Sequence, residues 1–327
     1  MHGTAAREAL AGLLPTLRAF AIPLRHRFRG IWVREGALLH GPAGWGEFSP
    51  FPEYGPRECS RWLASAIEAA MAGWPPPVRE QVGVNVTVPA VGPERAYEIV
   101  VGAGCRTAKV KVAEPGQGEP DDVERVAAVR DALGPDGPGA RIRVDANGAW
   151  DVPTAARTLR RLAGFGLEYA EQPCATLAEL AELRGLVDVP LAADESVRKA
   201  ADPLAVRAAG AADIVVLKVA PLGGVRQALA VAEACELPVV VSSAVESSVG
   251  LAAGVALAAA LPELGYDCGL GTATMLTADV TDEPLVPSGG LLPVRPAAPD
   301  PGPGSEWEAD PAPWRARVLA AAEFLDR

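Results

Sequence analysis

Lysine is scarce here. Of 30 basic residues in 327, only Lys109, Lys111, Lys199 and Lys218 are lysine; the rest are arginine. Histidine is scarcer still: His2, His26 and His40 all lie within the first forty residues, so chemistry further along must run without imidazole as base or ligand. The five cysteines stand singly, with no C-x-x-C pair. That spacing excludes a disulfide framework and a structural zinc site and suits a reduced compartment. Long apolar runs are missing too. The longest uncharged segment, residues 247–262, is Ala-rich and falls short of the ~20 residues a membrane helix needs. Arg7, Glu8 and Arg18 break up the N-terminus, so no signal peptide is expected and the expected location is cytoplasmic. A net charge of -11 and a pI near 4.9 argue against nucleic acid and against an anionic membrane surface as partners.

What the chain does have is a repeated strand signal. Short apolar runs that end in polar residues occur at 82–88, 107–112, 141–147, 167–173, 190–196, 214–220, 238–244 and 266–272. Helical patterns lie between them, and glycines such as Gly164, Gly166, Gly210 and Gly265 fall where helices should stop. Eight α/β units at roughly 25-residue spacing predict a parallel α/β barrel. A doubly wound open sheet is the weaker reading, because no Gly-rich dinucleotide turn follows the first strand. Residues 1–80 hold a hairpin-like run and a helical stretch outside the repeat. Residues 284–327 are Pro- and Gly-rich, then helical. Two such flanks predict a capping domain over the barrel of residues 81–283.

Catalytic groups of parallel barrels stand at the C-terminal strand ends. Here those ends carry Lys109 and Lys111, then Asp145, Glu171, Asp194 with Glu195, Lys218, and Ser242 with Ser243. Three acids on consecutive strands repel one another unless a cation lies among them. With oxygen ligands alone, the expected cation is Mg²⁺, with Mn²⁺ as a substitute. The competing reading, acids that pair with arginines or cap helices, suits any one of them better than it suits all three.

The lysines follow from the same logic. Arginine stays protonated and cannot act as a base, whereas lysine can if its pKa falls from ~10.4 toward ~7–8. Lys109 and Lys111 share one side of a strand, so each ammonium lowers the pKa of the other. Lys218 comes from the opposite flank. Lys199, in a solvent-facing helix start, receives no role.

K-x-K (Lys109, Lys111), D-x-N (Asp145, Asn147), E-Q-P (171–173), A-D-E-S (193–196) and Lys218 together resemble the enolase superfamily, in its muconate-cycloisomerase-like subgroup. The resemblance covers nearly the whole chain, including "WGEFSPFPEY" at 45–54. It implies a modified TIM barrel, (β/α)7β, with an α+β cap built from the N-terminal segment and the C-terminal tail. It also implies a small-molecule carboxylate substrate whose α-proton a lysine removes beside Mg²⁺. Lys111 is the implied base, Lys218 the stabilising amine on the other face, and Lys109 the group that tunes Lys111. Asp145, Glu171 and Asp194 are the implied metal ligands.

Within the subgroup, "SSAVESSVG" (242–250) and "GLGTATML" (269–276) are similar to a member that dehydrates a succinyl-hydroxycyclohexadiene carboxylate in menaquinone biosynthesis. Racemisation of N-succinylamino acids and dipeptide epimerisation are the alternatives, although the acids expected near strand eight for an epimerase are missing. A non-catalytic metal-binding barrel is the alternative from another class. Arg143, Asn147, Ser242, Ser243 and Gly271 are candidates for substrate contact or for support of the ligands. From the arginines of "PLRHRFRG" (23–30), Arg27 is the expected cap contact. The oligomeric state is left open.

Overall fold

The computed structural model describes residues 3–134, 139–198, 204–300 and 305–325, so Lys199 lies outside the described residues. After a helix, Gly3–Leu13, the chain forms β1 (Arg18–Phe28), β2 (Ile31–Gly41) and β3 (Gly44–Phe48), an antiparallel sheet. Helix Pro56–Met71 covers it. Its N-cap residue Gly55 donates its N–H to Glu58 Oε2 at 3.3 Å, and Pro56 loses nothing at a position where N–H groups lack helical partners. Cys59, Trp62, Leu63, Ala66, Ile67 and Ala70 recur on one face and are all buried. The helix sits so close to β3 that a Cβ on Gly46 would lie 2.0 Å from the carbonyl oxygen of Ala66, so only glycine fits there.

A short strand, β4 (Gln81–Gly83), precedes the main sheet. That sheet is seven-stranded and parallel, in chain order: β5 (Val86–Val88), β6 (Thr107–Lys111), β7 (Arg141–Asp145), β8 (Leu167–Glu171), β9 (Leu191–Ala193), β10 (Ile214–Leu217) and β11 (Val239–Val241). Residues such as Val110, Val144, Leu191, Val215 and Leu217 belong to the core between strands and helices. Tyr169, Ala192, Ile214, Val216 and Val240 form a separate cluster, as expected for the inward positions of alternating strands. At the end of the chain β12 (Leu291–Pro293) pairs with β4, and β13 (Glu308–Ala309) pairs with β1. Helix Pro311–Ala322 then packs Trp314, Val318 and Ala321 into the same core as helix Pro56–Met71. The C-terminal tail therefore completes the cap, in an α/β fold of parallel barrel and antiparallel cap.

Two expected strands differ. Residues 82–88 are not one strand but β4 and β5, bent apart at 84–85, where Val84 bridges to Cys268. Residues 266–272 form no extended strand: single bridges, Val84 with Cys268 and Ser242 with Gly269, close the ring between β11 and β5. Gly269 and Gly271 explain this, because both run too close to a neighbour for a side chain, and the chain then coils into a 3-10 helix, Gly271–Met275. Helix Ser248–Ala260 is the Ala-rich segment, buried along nearly its whole length. No helix among the described residues is long and apolar enough to cross a membrane.

Candidate active site

Strand register brings the polar strand ends together. Lys111 lies beside Asp145, and Asp145 beside Glu171, as direct partners across β6, β7 and β8. Asp194 follows β9 by one residue and Lys218 follows β10 by one residue. Side chains alternate along a strand, so Lys109 shares the side of Lys111 but stands one layer deeper, level with Arg143 and Tyr169.

The acids are held by amines. Lys109 Nζ lies 3.0 and 3.2 Å from the two oxygens of Glu171 and 3.4 Å from Asp145 Oδ2. Lys111 Nζ donates to Asp145 Oδ2 at 2.6 Å and to Asn147 Oδ1 at 2.7 Å. Lys218 Nζ donates to Asp194 Oδ2 at 2.6 Å, and Arg198 Nε to Asp194 Oδ1 at 2.9 Å. All three acids are at most 1% exposed.

Their titration follows from this crowding. Burial raises the carboxyl of Glu171, and Asp145 beside it adds to the rise, to about 7. Burial opposes ionisation of Asp145 and Asp194 as well, but the lysines, and for Asp194 Arg198, outweigh it and hold both well below the usual range. The two lysines of β6 part company. Lys109 is raised, since Glu171 and Asp145 overcome its burial. Lys111 is lowered, by burial first and then by the Lys109 ammonium, against the pull of Asp145.

Above these groups lies a small pocket between cap and barrel. Phe28, Arg29 and Phe51 of the cap line it together with Thr87, Lys109, Lys111, Asn147, Lys218, Ser242, Ser243, Ala244, Val245, Gly269 and Thr272. The Lys111 ammonium sits 5.2 Å from the centre of the Phe28 ring. Asn147 takes a left-handed conformation, φ +48°, with its N–H bonded to Asp145 Oδ1 at 3.1 Å and its side chain reaching Glu195. Ser243 exchanges a 2.7 Å hydrogen bond with Thr272, while Ser242 is buried against the carbonyl of Gly269.

Three expected contacts fall elsewhere. Arg143 does not support Asp145: two residues back along β7 is one layer deeper, where its guanidinium meets Glu168, Asn85 and the carbonyl of Asp267. Gly271 packs on the carbonyl of Asn85 and leaves the pocket wall to Gly269 and Thr272. Arg27 does not line the pocket, and the arginine that does is Arg29, its guanidinium 4.7 Å from the centre of the Phe51 ring. The alternating positions of Arg25, Arg27 and Arg29 contained that answer without ranking it.

Glu195, Arg198 and Tyr54 form a set that sequence reasoning left unassigned. Arg198 bridges Asp194 and Glu195 and donates to the Tyr54 hydroxyl of the cap at 2.6 Å. The signal was partial: Glu195 follows the strand-five acid, but nothing along the chain joins it to Tyr54.

The donor set is made of oxygen alone, which suits a hard cation. Among the described residues no three such groups stand close enough to hold a metal ion, since each acid is turned to an amine. One buried carboxylate oxygen, Glu195 Oε2, has no hydrogen-bond partner. The oxygen-only donor set and the unpartnered carboxylate oxygen therefore fit Mg²⁺.

Comparison with known proteins agrees with this geometry. The family described as enolase C-terminal domain-like matches residues 93–311, and the family described as enolase N-terminal domain-like matches residues 19–70. An o-succinylbenzoate synthase of Thermobifida fusca is 68% identical over 306 residues, which is 94% of this chain and 96% of that protein. One from Mycobacterium leprae is 55% identical over 89% of this chain and 86% of its own length. The crystal structure of a dipeptide epimerase from Enterococcus faecalis, complexed with Mg and a dipeptide, superimposes with a TM-score of 0.71. It covers 86% of this chain and 97% of its own, at 23% identity, and so speaks for the fold alone. With both family models matched and relatives of this identity over nearly the full length, the chain belongs to the enolase superfamily and, within it, to the o-succinylbenzoate synthase family.

Proposed function

We infer that this chain is a carbon–oxygen lyase. It dehydrates 2-succinyl-6-hydroxy-2,4-cyclohexadiene-1-carboxylate to 2-succinylbenzoate, a step of menaquinone biosynthesis. The observation that carries the reading is the identity of 68% over 94% of the chain to a curated o-succinylbenzoate synthase. The arrangement of lysines around one pocket supports it.

Enolase-superfamily members use Mg²⁺. In this chain Asp145, Glu171 and Asp194 would hold it. When bound it would supply positive charge to the substrate carboxylate as a second negative charge develops there. The remaining chemistry belongs to side chains. Lys111, lowered by burial and by Lys109, takes the proton from the carbon next to the carboxylate. The electron pair left on that carbon forms the new double bond as the neighbouring C–O bond breaks. The same lysine returns its proton to the departing hydroxyl, so that water leaves on the face from which the proton came. Lys218, across the acids from β6, stabilises the charged intermediate from the other side. Lys109 stays protonated between Glu171 and Asp145 and keeps Lys111 poised. The cytoplasm is the compartment that suits this substrate and the free cysteines.

A second reading rests on one observation. Amines on two flanks of the acids also suit racemisation, in which one takes a proton and the other returns it to the opposite face. Supplying the cyclohexadiene and, separately, an N-succinylamino acid to the Mg²⁺-loaded chain decides between them. Aromatic product is expected at the higher kcat/KM; an absence of dehydration would end the first reading, and faster racemisation would make the second the physiological one.

A further inference from the structure

The pocket wall at 242–245 takes its shape from the cap. Val245 has φ +60°, a left-handed conformation that a β-branched residue keeps only where its surroundings hold it. Its carbonyl accepts a 3.0 Å hydrogen bond from Nε of Arg34, a residue of β2 that is 1% exposed. The same guanidinium donates to Ser49 Oγ at 2.9 Å and stacks 4.7 Å from the centre of the Phe51 ring. Glu47 of β3 grips the far end of the loop. It accepts from Ser247 Oγ at 2.5 Å and from the N–H of Gly250 at 3.0 Å, while Ser49 Oγ ties it back to the cap at 2.5 Å. A Cβ at position 250 would lie 2.8 Å from the Glu47 carboxyl, so glycine there admits the carboxylate. Within the loop, Glu246 accepts the N–H of Ala244 at 2.7 Å. The segment that presents Ser242, Ser243, Ala244 and Val245 to the pocket is thus fastened to the barrel at its start, where the N–H groups of Ser242 and Ser243 donate to the carbonyls of Leu217 and Gly269, and to cap strands from Val245 onward.

We propose that Arg34 and Glu47 are positioning residues that hold the 242–247 loop in its strained form, so that the docked cap sets how tightly substrate is bound while the lysines do the chemistry. The proposal rests on the dehydratase reading for its substrate, not for its geometry. A conformation held by a distant clamp relaxes when the clamp is cut, and it becomes free of strain when the residue at the strained position is glycine.

The test uses the full-length Mg²⁺-loaded chain with Arg34→Met, Val245→Gly and the double variant. In Arg34→Met, deuterium exchange at the amides of Ala244, Ser247 and Gly250 should quicken by about tenfold. KM for dehydration should rise by about tenfold while kcat changes less than about threefold. Adding Val245→Gly to Arg34→Met should recover at least half of the lost affinity on a logarithmic scale. Unchanged exchange over 242–250, or a double variant no better than Arg34→Met, would overturn the proposal. If Arg34→Met fails to fold, Arg34→Lys keeps the charge but shortens the reach to Val245 and is read in the same way. A parent that exchanges as expected yet does not dehydrate would sink the dehydratase reading alone, and the exchange result still judges the clamp.

Discussion

At the barrel mouth three ammonium groups face Asp145, Glu171 and Asp194. At the seam between cap and barrel one guanidinium, Arg34, lies beside Glu47 and Glu246, and most of the bonds there run to backbone and hydroxyl groups. Both clusters are buried, and both set acids against bases. They differ in what the bases can do. A lysine makes point contacts on a flexible stem, can lose its proton, and can move aside for a cation. An arginine makes several fixed contacts in a plane and stays charged. On the proposed mechanism lysine stands where a proton or an ion must change hands, with Arg198 on Asp194 as the exception, and arginine stands where a loop must be kept in place.

The largest effect should come from the mouth cluster. Chelating the metal should lower dehydration by roughly a thousandfold or more, as expected when several kcal/mol of charge stabilisation is removed. Added Mg²⁺ should restore it, and Mn²⁺ should substitute. Activity that survives exhaustive chelation would put the three acids down as purely structural.

Next comes Lys111→Arg, which keeps the charge of the site and removes the base. Turnover should fall by ~10²–10⁴ with the fold intact by circular dichroism. A variant that kept more than about a tenth of the parent rate would erase the distinction between the two clusters.

The smallest effect belongs to the seam. Burial, with Glu246 adding to it against Arg34 and the serines, lifts Glu47 from 4.5 to about 7. An acid raised in the folded state contributes stability that is complete below its unfolded value and is lost as pH rises through its folded one. The parent should therefore lose stability between pH 4.5 and about 7 on account of Glu47. Glu47→Gln should lose less over that window, so the gap in melting temperature should shift by a few degrees in favour of the variant as pH rises. A gap that stays constant with pH would mean that Glu47 is ionised throughout.

The mouth was legible along the chain for a simple reason. Strand side chains alternate, strand ends of a parallel barrel share one face, and so Lys109, Lys111, Asp145, Glu171, Asp194 and Lys218 could be placed together by counting. Depth was harder to read. Arg143 has the parity of Asp145 but sits one layer down, and nothing local separates support from burial. The seam was not legible. Arg34 meets Val245 across 211 positions, and Glu47 meets Ser247 across 200. Val245 shows no glycine or asparagine to announce a left-handed backbone.

Periodicity and residue chemistry, which are local, therefore determined by themselves the parallel barrel, its cap and the polar residues at the mouth. Only the tertiary structure decided which cap arginine faces the pocket, where the eighth stave gives way to two bridges, and how the cap holds the 242–247 loop. Each of those depends on the distance of closest approach between segments far apart in the chain, a quantity that no spacing along the sequence encodes.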